Sequence, residues 1–277
     1  MDKFAAAVSN LWNALLSLGK VVFYSRWRTS DIPWIERLRD ELIILGNGPS
    51  LKGFLEEKIT FLDGKDLVCV NYAVESPYFA ELKPRYYVAI DPAIFRGESV
   101  ERAFGNLARK TDWEMHLFVP YRYRKMTGWR EALEGNPHIR VHLINITPVE
   151  GSDFICFPLY WRRLGMPRPH NVLIPSLMCG LWMGYKTIHT AGVEHTWHLQ
   201  LWVDDQNRLM INDRHFYDDS DPAARRHGHF RMDTILRSLA TVFAGYQTIQ
   251  RFSKRLGTRI YNLTEGSFID AFERKRL

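Results

Sequence analysis

The sequence predicts an α/β fold, a Rossmann-like, mostly parallel sheet with helices on both faces and a small lid region. Six short apolar runs alternate along the chain with stretches long enough to hold crossover connections. Each run is almost continuously apolar, as expected of strands that helices cover on both faces. With 277 residues, 46% of them hydrophobic, the chain can bury the core of one large domain. The predicted strands are residues 42–45, 67–70, 86–90, 116–119, 141–144 and 187–191.

Composition and charge indicate which partners and which cellular compartment to expect. A net charge of +6 and a pI near 9.2 favour anionic partners such as nucleotides, nucleic acid or phospholipid headgroups. The three cysteines, Cys69, Cys156 and Cys179, are far apart in the sequence, and we expect free thiols in a cytoplasmic protein. Basic stretches that include aromatic residues, such as 121–125, lack a nucleic-acid-binding motif, so we expect no nucleic acid partner.

The first 40 residues form a predicted segment of their own, ahead of a domain at 41–277. Asn13 and Lys20 are among the polar residues that interrupt its apolar runs before they reach the roughly 18 residues of a membrane span, so we expect neither a span nor a signal peptide. Apolar residues at helical spacing predict an amphipathic helix. It either packs on its own domain or on a second copy in a homo-oligomer, or lies on the inner membrane surface, where Trp12 and Trp27 are typical residues. The apolar positions are Phe4, Val8, Leu11, Leu15, Leu18 and Val22.

The first predicted strand runs into a loop of small residues, Gly46-Asn47-Gly48-Pro49-Ser50. Gly46 and Gly48 tolerate backbone conformations denied to other residues, and Pro49 stiffens the turn. Ser50 can cap a following helix, whose free N-terminal amides attract an anion. The loop predicts a nucleotide site, or else a tight connection between a strand and a helix. It matches neither a Walker loop nor GxGxxG.

Small and polar residues also follow other predicted strands. Asn71 and Asp91 come after the second and third strands, and Gly192 to His195 come after the sixth. Ligands of parallel sheets bind at the carboxyl ends of the strands. We therefore expect these residues and the glycine loop to form one site.

The last third of the chain combines a long helix with an irregular segment. Apolar spacing predicts an amphipathic helix over 232–252 that Gly257 ends, a strand at 259–262, and a final helix at 268–274 capped by Ser267. Between residues 197 and 230 the periodicity fails, and polar, aromatic and acidic residues prevail. We interpret 197–230 as a lid over the site.

Together these motifs resemble the bacterial sialyltransferases of glycosyltransferase family 42 and, more loosely, the central domains of motility-associated flagellin glycosyltransferases. The resemblance covers residues 42–275 and depends mainly on the order and spacing of its parts. The matching segments are Gly-Asn-Gly-Pro-Ser-Leu at 46–51, Val-Asn at 70–71, Asp-Pro at 91–92, Ile-Pro-Ser at 174–176, Gly-Tyr-Lys-Thr-Ile at 184–188, Gly-Val-Glu at 192–194, Gly-His at 228–229, and Tyr-Asn-Leu-Thr-Glu-Gly-Ser ending at 267.

The resemblance implies a metal-independent, inverting transferase that uses a sugar activated as its cytidine monophosphate, with a glycan or glycolipid of a surface polysaccharide or lipooligosaccharide as acceptor and no separate cofactor. At the Asp91 position the family more often has asparagine. Ser176 matches a serine that contacts the cytidine, although a plain helix cap explains it equally well. The implied donor-binding residues are Gly46, Asn47, Gly48, Pro49, Ser50, Asn71, Asp91, Ser176 and Glu194.

Inverting transfer requires a base for the acceptor hydroxyl and donors for the departing phosphate. His229 matches the family's catalytic histidine, with His227 and His215 as rivals and a helix-start packing role as the alternative. The family's pair of tyrosines for the phosphate is not visible, which leaves the identity of the acidic sugar open. The available phosphate donors are His195, His198, Arg214 and Tyr217, where an arginine or a protonated histidine would replace the phenols.

Three other hypotheses remain open at this point. A magnesium-dependent pyrophosphokinase of the pterin type has a similar glycine loop and would need carboxylates such as Asp91 for the metal. Glu194-His195-x-x-His198 with His227-Gly-His229 could instead bind zinc or manganese, although it is not HExxH. The chain could also be a nucleotide- or glycan-binding module without catalytic activity.

Overall fold

Eleven strands are present in the residues that the computed structural model describes, 3–27, 35–211, 225–226 and 231–277. The strands are β1 Glu41–Leu45, β2 Asp66–Val70, β3 Tyr86–Val88, β4 Met115–Pro120, β5 Ile139–Ile144, β6 Thr187–Ala191, β7 Leu201–Val203, β8 Leu209–Ile211, β9 Arg225–Arg226, β10 Arg259–Asn262 and β11 Glu273–Arg274.

The main sheet has eight strands in the order β11-β10-β6-β1-β2-β3-β4-β5, and every neighbouring pair is parallel. This confirms the predicted α/β, Rossmann-like class. The order changes direction at β1, since β2 lies on one side of it and β6 on the other. In open parallel sheets such a point opens a crevice at the carboxyl ends of the strands.

Helices cover both faces of this sheet. Along β1, Leu42 and Ile44 pack into one apolar core with the helices that precede and follow β6, whereas Ile43 and Leu45 pack into a second core on the opposite face. The two cores explain why β1 is apolar at every position after Glu41, since neither face of residues 42–45 meets solvent. The helices are α1 Lys3–Tyr24, α2 Ser50–Lys58, α3 Phe79–Leu82, α4 Glu98–Val100, α5 Asn106–Lys110, α6 Gly128–Glu131, α7 Asp153–Trp161, α8 Leu173–Trp182 and α9 Met232–Leu256.

A small antiparallel sheet, β7-β8-β9, stands apart from the main sheet. It lies within the segment 197–230 that the sequence predicts to be a lid. Residues 212–224 and 227–230 of that segment lie outside the described part of the chain.

The predicted final helix over 268–274 is wrong. Ile269 and Ala271 are buried while Phe268 and Asp270 are not, an alternation that belongs to an extended chain and not to a helix. The segment ends in β11, which pairs with β10. Ser267 therefore caps no helix.

The predicted N-terminal helix is present as α1, but it does not bury the predicted apolar stripe. It packs on the domain through Ala14, Ser17 and Val21, which are almost fully buried, while Leu11 and Leu15 on the stripe are about half exposed to solvent. The three cysteines are free and buried, as predicted. Burial raises the pKa of the Cys69 thiol to about 12.

Candidate functional site

The glycine loop that follows β1 packs directly against the turn that follows β6. The amide of Gly46 donates to the Ala191 carbonyl at 2.8 Å, and the amide of Gly48 donates to the Gly192 carbonyl at 2.9 Å. A Cβ atom at Gly46 would overlap the Gly192 carbonyl oxygen, and one at Gly48 would overlap the Glu194 carboxylate. Neither glycine has a positive φ angle. The expectation that these glycines supply unusual backbone conformations is therefore wrong, because close approach is what requires them.

The carboxylate of Glu194 occupies the N-terminus of α2. Its Oε1 atom accepts a hydrogen bond from the Ser50 amide at 2.6 Å. Pro49 stands at the cap position of α2, where no side chain caps the helix, and Ser50 is already its first residue. The predicted cap role of Ser50 is therefore wrong. A carboxylate at this end of the helix is electrostatically favourable and fills the place predicted for a phosphate.

Asn47, between the two glycines, has an unpaired acceptor. Its Nδ2 group donates to the Val70 carbonyl at 3.3 Å, but its buried Oδ1 atom has no hydrogen-bond partner among the described residues. A buried acceptor without a donor costs about 1–3 kcal/mol. An N–H or O–H group of a ligand at this loop would remove that cost.

Asn71 and Asp91 lie at the carboxyl ends of β2 and β3, where the sequence placed them. Asn71 has a φ of 47°, and its Oδ1 atom accepts from the amides of Ile90 at 3.1 Å and Asp91 at 3.3 Å. Asp91 Oδ1 accepts from the Ala93 amide at 2.9 Å and caps a short 3₁₀ turn. One side-chain oxygen of each residue thus holds the local backbone, which leaves the Asn71 amide nitrogen and the second Asp91 oxygen for a ligand.

Ser176 is not placed to contact a ligand. It lies in the first turn of α8, which begins at Leu173, and it is fully buried. Its hydroxyl donates to the Val172 carbonyl at 2.8 Å. The predicted helix start at Ser176 is therefore wrong, and its hydroxyl is already used inside the helix.

His195 follows the turn after β6, and its imidazole belongs to a buried chain of hydrogen-bonded side chains. Its Nδ1 atom lies 3.1 Å from the Tyr246 hydroxyl, and that hydroxyl accepts from the Asn171 side-chain amide at 2.7 Å. Trp197 stacks on the imidazole, with ring centroids 4.4 Å apart. Since Asn171 supplies a proton to the Tyr246 oxygen, we assign the tyrosine proton to His195 Nδ1, so that Nε2 carries the imidazole hydrogen.

Burial lowers the pKa of His195 from its ordinary value of 6.5 to about 3. The imidazole is therefore neutral near pH 7, so in this state His195 would meet a departing phosphate as a neutral donor and not as a cation. A neutral Nε2–H group can still donate a hydrogen bond. Tyr246 and Asn171, which hold this ring, were not predicted as site residues.

This pKa shift predicts a fall in stability at acid pH. The unfolded chain binds a proton on His195 near pH 6.5 and the folded chain only near pH 3. Stability from the neutral imidazole is thus complete above pH 6.5 and falls by up to about 1.4 kcal/mol for each pH unit below it. Urea unfolding between pH 7.5 and 4.5 measures this slope.

The matched variants are His195→Asn and His138→Asn. Asparagine tolerates the positive φ of 55° at residue 195 and removes this titrating group, so His195→Asn should make the slope less steep. His138 is exposed, and its replacement should leave the slope unchanged. Equal slopes in the wild type and His195→Asn would contradict the assignment.

A second set of bonds fixes the Gly192–Glu194 turn from the C-terminal side. The Val193 amide donates to Thr264 Oγ1 at 3.1 Å, the Ser267 hydroxyl donates to the Val193 carbonyl at 2.6 Å, and the Phe268 amide donates to the Glu194 carbonyl at 2.8 Å. Residues 264–268 therefore stabilise the turn that carries Glu194.

The metal hypothesis for Glu194-His195-x-x-His198 is not supported by the positions of these side chains. Glu194 bonds the Ser50 amide, His195 faces Tyr246, and His198 packs edge-on against Phe268 at 4.5 Å between ring centroids. In the part of the chain that the structure describes, no three histidine, cysteine or acidic side chains form a group able to hold a metal ion. The other predicted residues His229, Arg214, Tyr217, His227 and His215 lie outside the described residues.

Comparison with known structures gives the class of fold. The chain is similar to the MAf glycosyltransferase from Magnetospirillum magneticum AMB-1, with a TM-score of 0.51 and 10% identity over 87% of this chain and 34% of that one. The chain thus spans 34% of the length of that protein. A mammalian sialyltransferase gives a TM-score of 0.39 and 11% identity over 88% of this chain and 77% of that one. No family model matches the sequence, and no curated protein does. The fold is therefore shared with the MAf structure.

Proposed function

We propose that the chain is a glycosyltransferase that moves an acidic sugar from a CMP-activated donor to a glycan or glycolipid acceptor. The observation that carries this proposal is the meeting of four strand ends at one edge of the sheet, where Asn47, Asn71, Asp91 and Glu194 present polar atoms. The fold shared with a solved glycosyltransferase and the resemblance of the glycine loop to sialyltransferases support the same reaction class.

Glu194 is positioned to accept a hydrogen bond from a nucleoside. Its Oε1 is held by the Ser50 amide and its backbone by Phe268, so the second oxygen has a fixed position. A carboxylate oxygen accepts hydroxyl hydrogens, and we assign it to a ribose hydroxyl. The unpaired Asn47 Oδ1 in the glycine loop is assigned to a second donor group of the nucleoside.

The donor phosphate in this arrangement lies away from the N-terminus of α2. A phosphate placed there would be repelled by the Glu194 carboxylate. It would also lack the Ser50 amide as a donor, because that amide already bonds Glu194. Arg214 and Tyr217 are the cationic and phenolic candidates for the departing phosphate, and the neutral Nε2–H of His195 is a further donor. His229 is the proposed base for the acceptor hydroxyl in a single inverting displacement, and we propose that this displacement needs no metal.

A thermal-shift panel of nucleotides tests the proposal. At a concentration about 100 times its dissociation constant, CMP should stabilise the folded protein by about 2.7 kcal/mol. We expect CMP and CDP to raise the melting temperature by several degrees, while ATP, GTP and NAD raise it less. A preference for ATP with magnesium would support the pyrophosphokinase hypothesis, and no response to any cytidine nucleotide would contradict the proposal.

A further inference from the structure

α1 presents a broad apolar face to solvent. Trp12 is 62% exposed, Leu15 is 52% exposed and Phe23 is 82% exposed. At 100° per residue these positions and their apolar neighbours cover nearly half of the helix circumference, opposite the side that contacts the domain. The exposed apolar residues of the helix are Val8, Leu11, Trp12, Leu15, Leu16, Leu18, Val22 and Phe23.

The domain holds the helix with this face outward. Ala14, Ser17 and Val21 form a narrow buried stripe, and Ser17 accepts a hydrogen bond from the Glu150 amide at 2.9 Å. Beyond the helix, the Ser25 hydroxyl lies 2.7 Å from Thr147 Oγ1. Glycine at 151 is required by this contact, since a Cβ atom there would meet the backbone of α1. Specific contacts between α1 and the domain therefore fix the apolar face in its outward orientation.

The charges and aromatic residues around this face match an anionic bilayer surface. The helix contains no acidic residue, whereas Lys20 lies on it and Arg26 follows it. Trp27 just beyond its end is 60% exposed, and Trp12 lies within the face. Tryptophan and basic residues around an apolar face are typical of helices that lie in the plane of a membrane interface.

We propose that the outward face of α1, made of the eight apolar residues above, docks on an anionic phospholipid surface. No helix among the described residues is both long enough and apolar enough to cross a bilayer, so the contact is a peripheral one. A second copy of the chain fits less well, because Lys20 and Arg26 would then face a helix that has no acidic residue to pair with them.

The loop that follows β5 holds α1 and thereby fixes where the apolar face lies relative to the sheet. Thr147 and Glu150 follow β5, so the helix is attached at the carboxyl edge of the sheet, which is also the edge of the candidate site. The docking proposal depends on α1 alone and stands whether or not the chain transfers sugars.

Vesicle flotation with the full chain tests the proposal. Vesicles of phosphatidylcholine with phosphatidylglycerol should bind the protein at low salt, and pure phosphatidylcholine should bind it at least about tenfold less, because headgroup charge attracts the basic residues. Leu15→Glu should weaken binding by about tenfold or more, since it places a charge in the lipid contact. Leu38→Glu is the matched control, because Leu38 is 57% exposed and comes just before β1, at the amino edge of the sheet.

Three results would overturn the docking proposal. The first is no binding to anionic vesicles, and the second is equal loss of binding in Leu15→Glu and Leu38→Glu. The third is a dimer mass by light scattering that Leu15→Glu converts to a monomer, since the face would then join two copies. Circular dichroism and nucleotide thermal shifts of both variants show that the fold and the candidate site are intact.

Discussion

Replacing Gly46 with alanine should destabilise the protein and remove nucleotide binding together. A Cβ at this position would overlap the backbone carbonyl of Gly192, which cannot move as the tip of a flexible side chain could. Overpacking of this kind costs about 1–3 kcal/mol, which urea unfolding measures directly. Any relief must separate the glycine loop from the β6 turn, and that displaces Asn47 and Glu194 from the site.

Gly53→Ala is the matched control for this prediction. Gly53 lies inside α2, only seven residues further along the chain, and an added Cβ there meets no atom within 4 Å. Alanine in a helix interior is favoured over glycine by roughly 0.5–1 kcal/mol, so this variant should be slightly more stable than the wild type. Equal stability and equal nucleotide binding in Gly46→Ala and Gly53→Ala would show that the close approach is unimportant.

His229→Ala should reduce the release of CMP from a CMP-activated acidic sugar by about 10²–10⁴-fold, the usual contribution of a general base. The base takes the proton of the attacking hydroxyl, so its loss affects turnover while the nucleotide site stays in place. Thermal shifts with CMP should therefore remain near the wild-type value. The assay is run with a chelator, because the proposed reaction needs no metal.

Two further variants separate the outcomes. His138→Ala replaces an exposed histidine just before β5 and should keep full turnover. His227→Ala tests the neighbouring rival. If turnover survives in His229→Ala and is lost in His227→Ala, the base has been assigned to the wrong histidine. If the wild type requires magnesium, the reaction class itself is wrong.

The fold could be predicted because the apolar pattern of each buried strand is contained in a short stretch of sequence. The almost continuous apolar sequence of β1, Glu41–Leu45, reflects burial on two faces, and parallel strands bring their carboxyl ends to one edge whatever the details of the helices. The placement of Asn71 and Asp91 at the same edge of the sheet as the glycine loop followed from that topology alone. The final helix failed for the opposite reason, because a short run with Ile269 and Phe272 fits either an extended or a helical pattern.

The roles of the site residues depend on contacts between distant parts of the chain. Gly46 is required by a carbonyl 146 positions away, and Glu194 reaches the Ser50 amide, so the reason for both residues is visible only after folding. The pKa of His195 is set by burial, which its sequence neighbours do not reveal. Tyr246 fitted the apolar pattern of α9 and gave no sign of its hydrogen bond to the imidazole.

Calorimetric titration with CMP tests whether the edge of the sheet beside the glycine loop binds a cytidine nucleotide. The wild type should bind CMP measurably, and Glu194→Ala should bind it at least about tenfold more weakly, as expected when a hydrogen bond to a charged group is lost, worth about 1.5–3 kcal/mol. Glu194→Gln, which keeps an acceptor for the Ser50 amide, separates loss of the helix contact from loss of the ribose contact. CMP binding of equal or greater strength in Glu194→Ala, or no CMP binding to the wild type, would show that this edge of the sheet is not a cytidine nucleotide site.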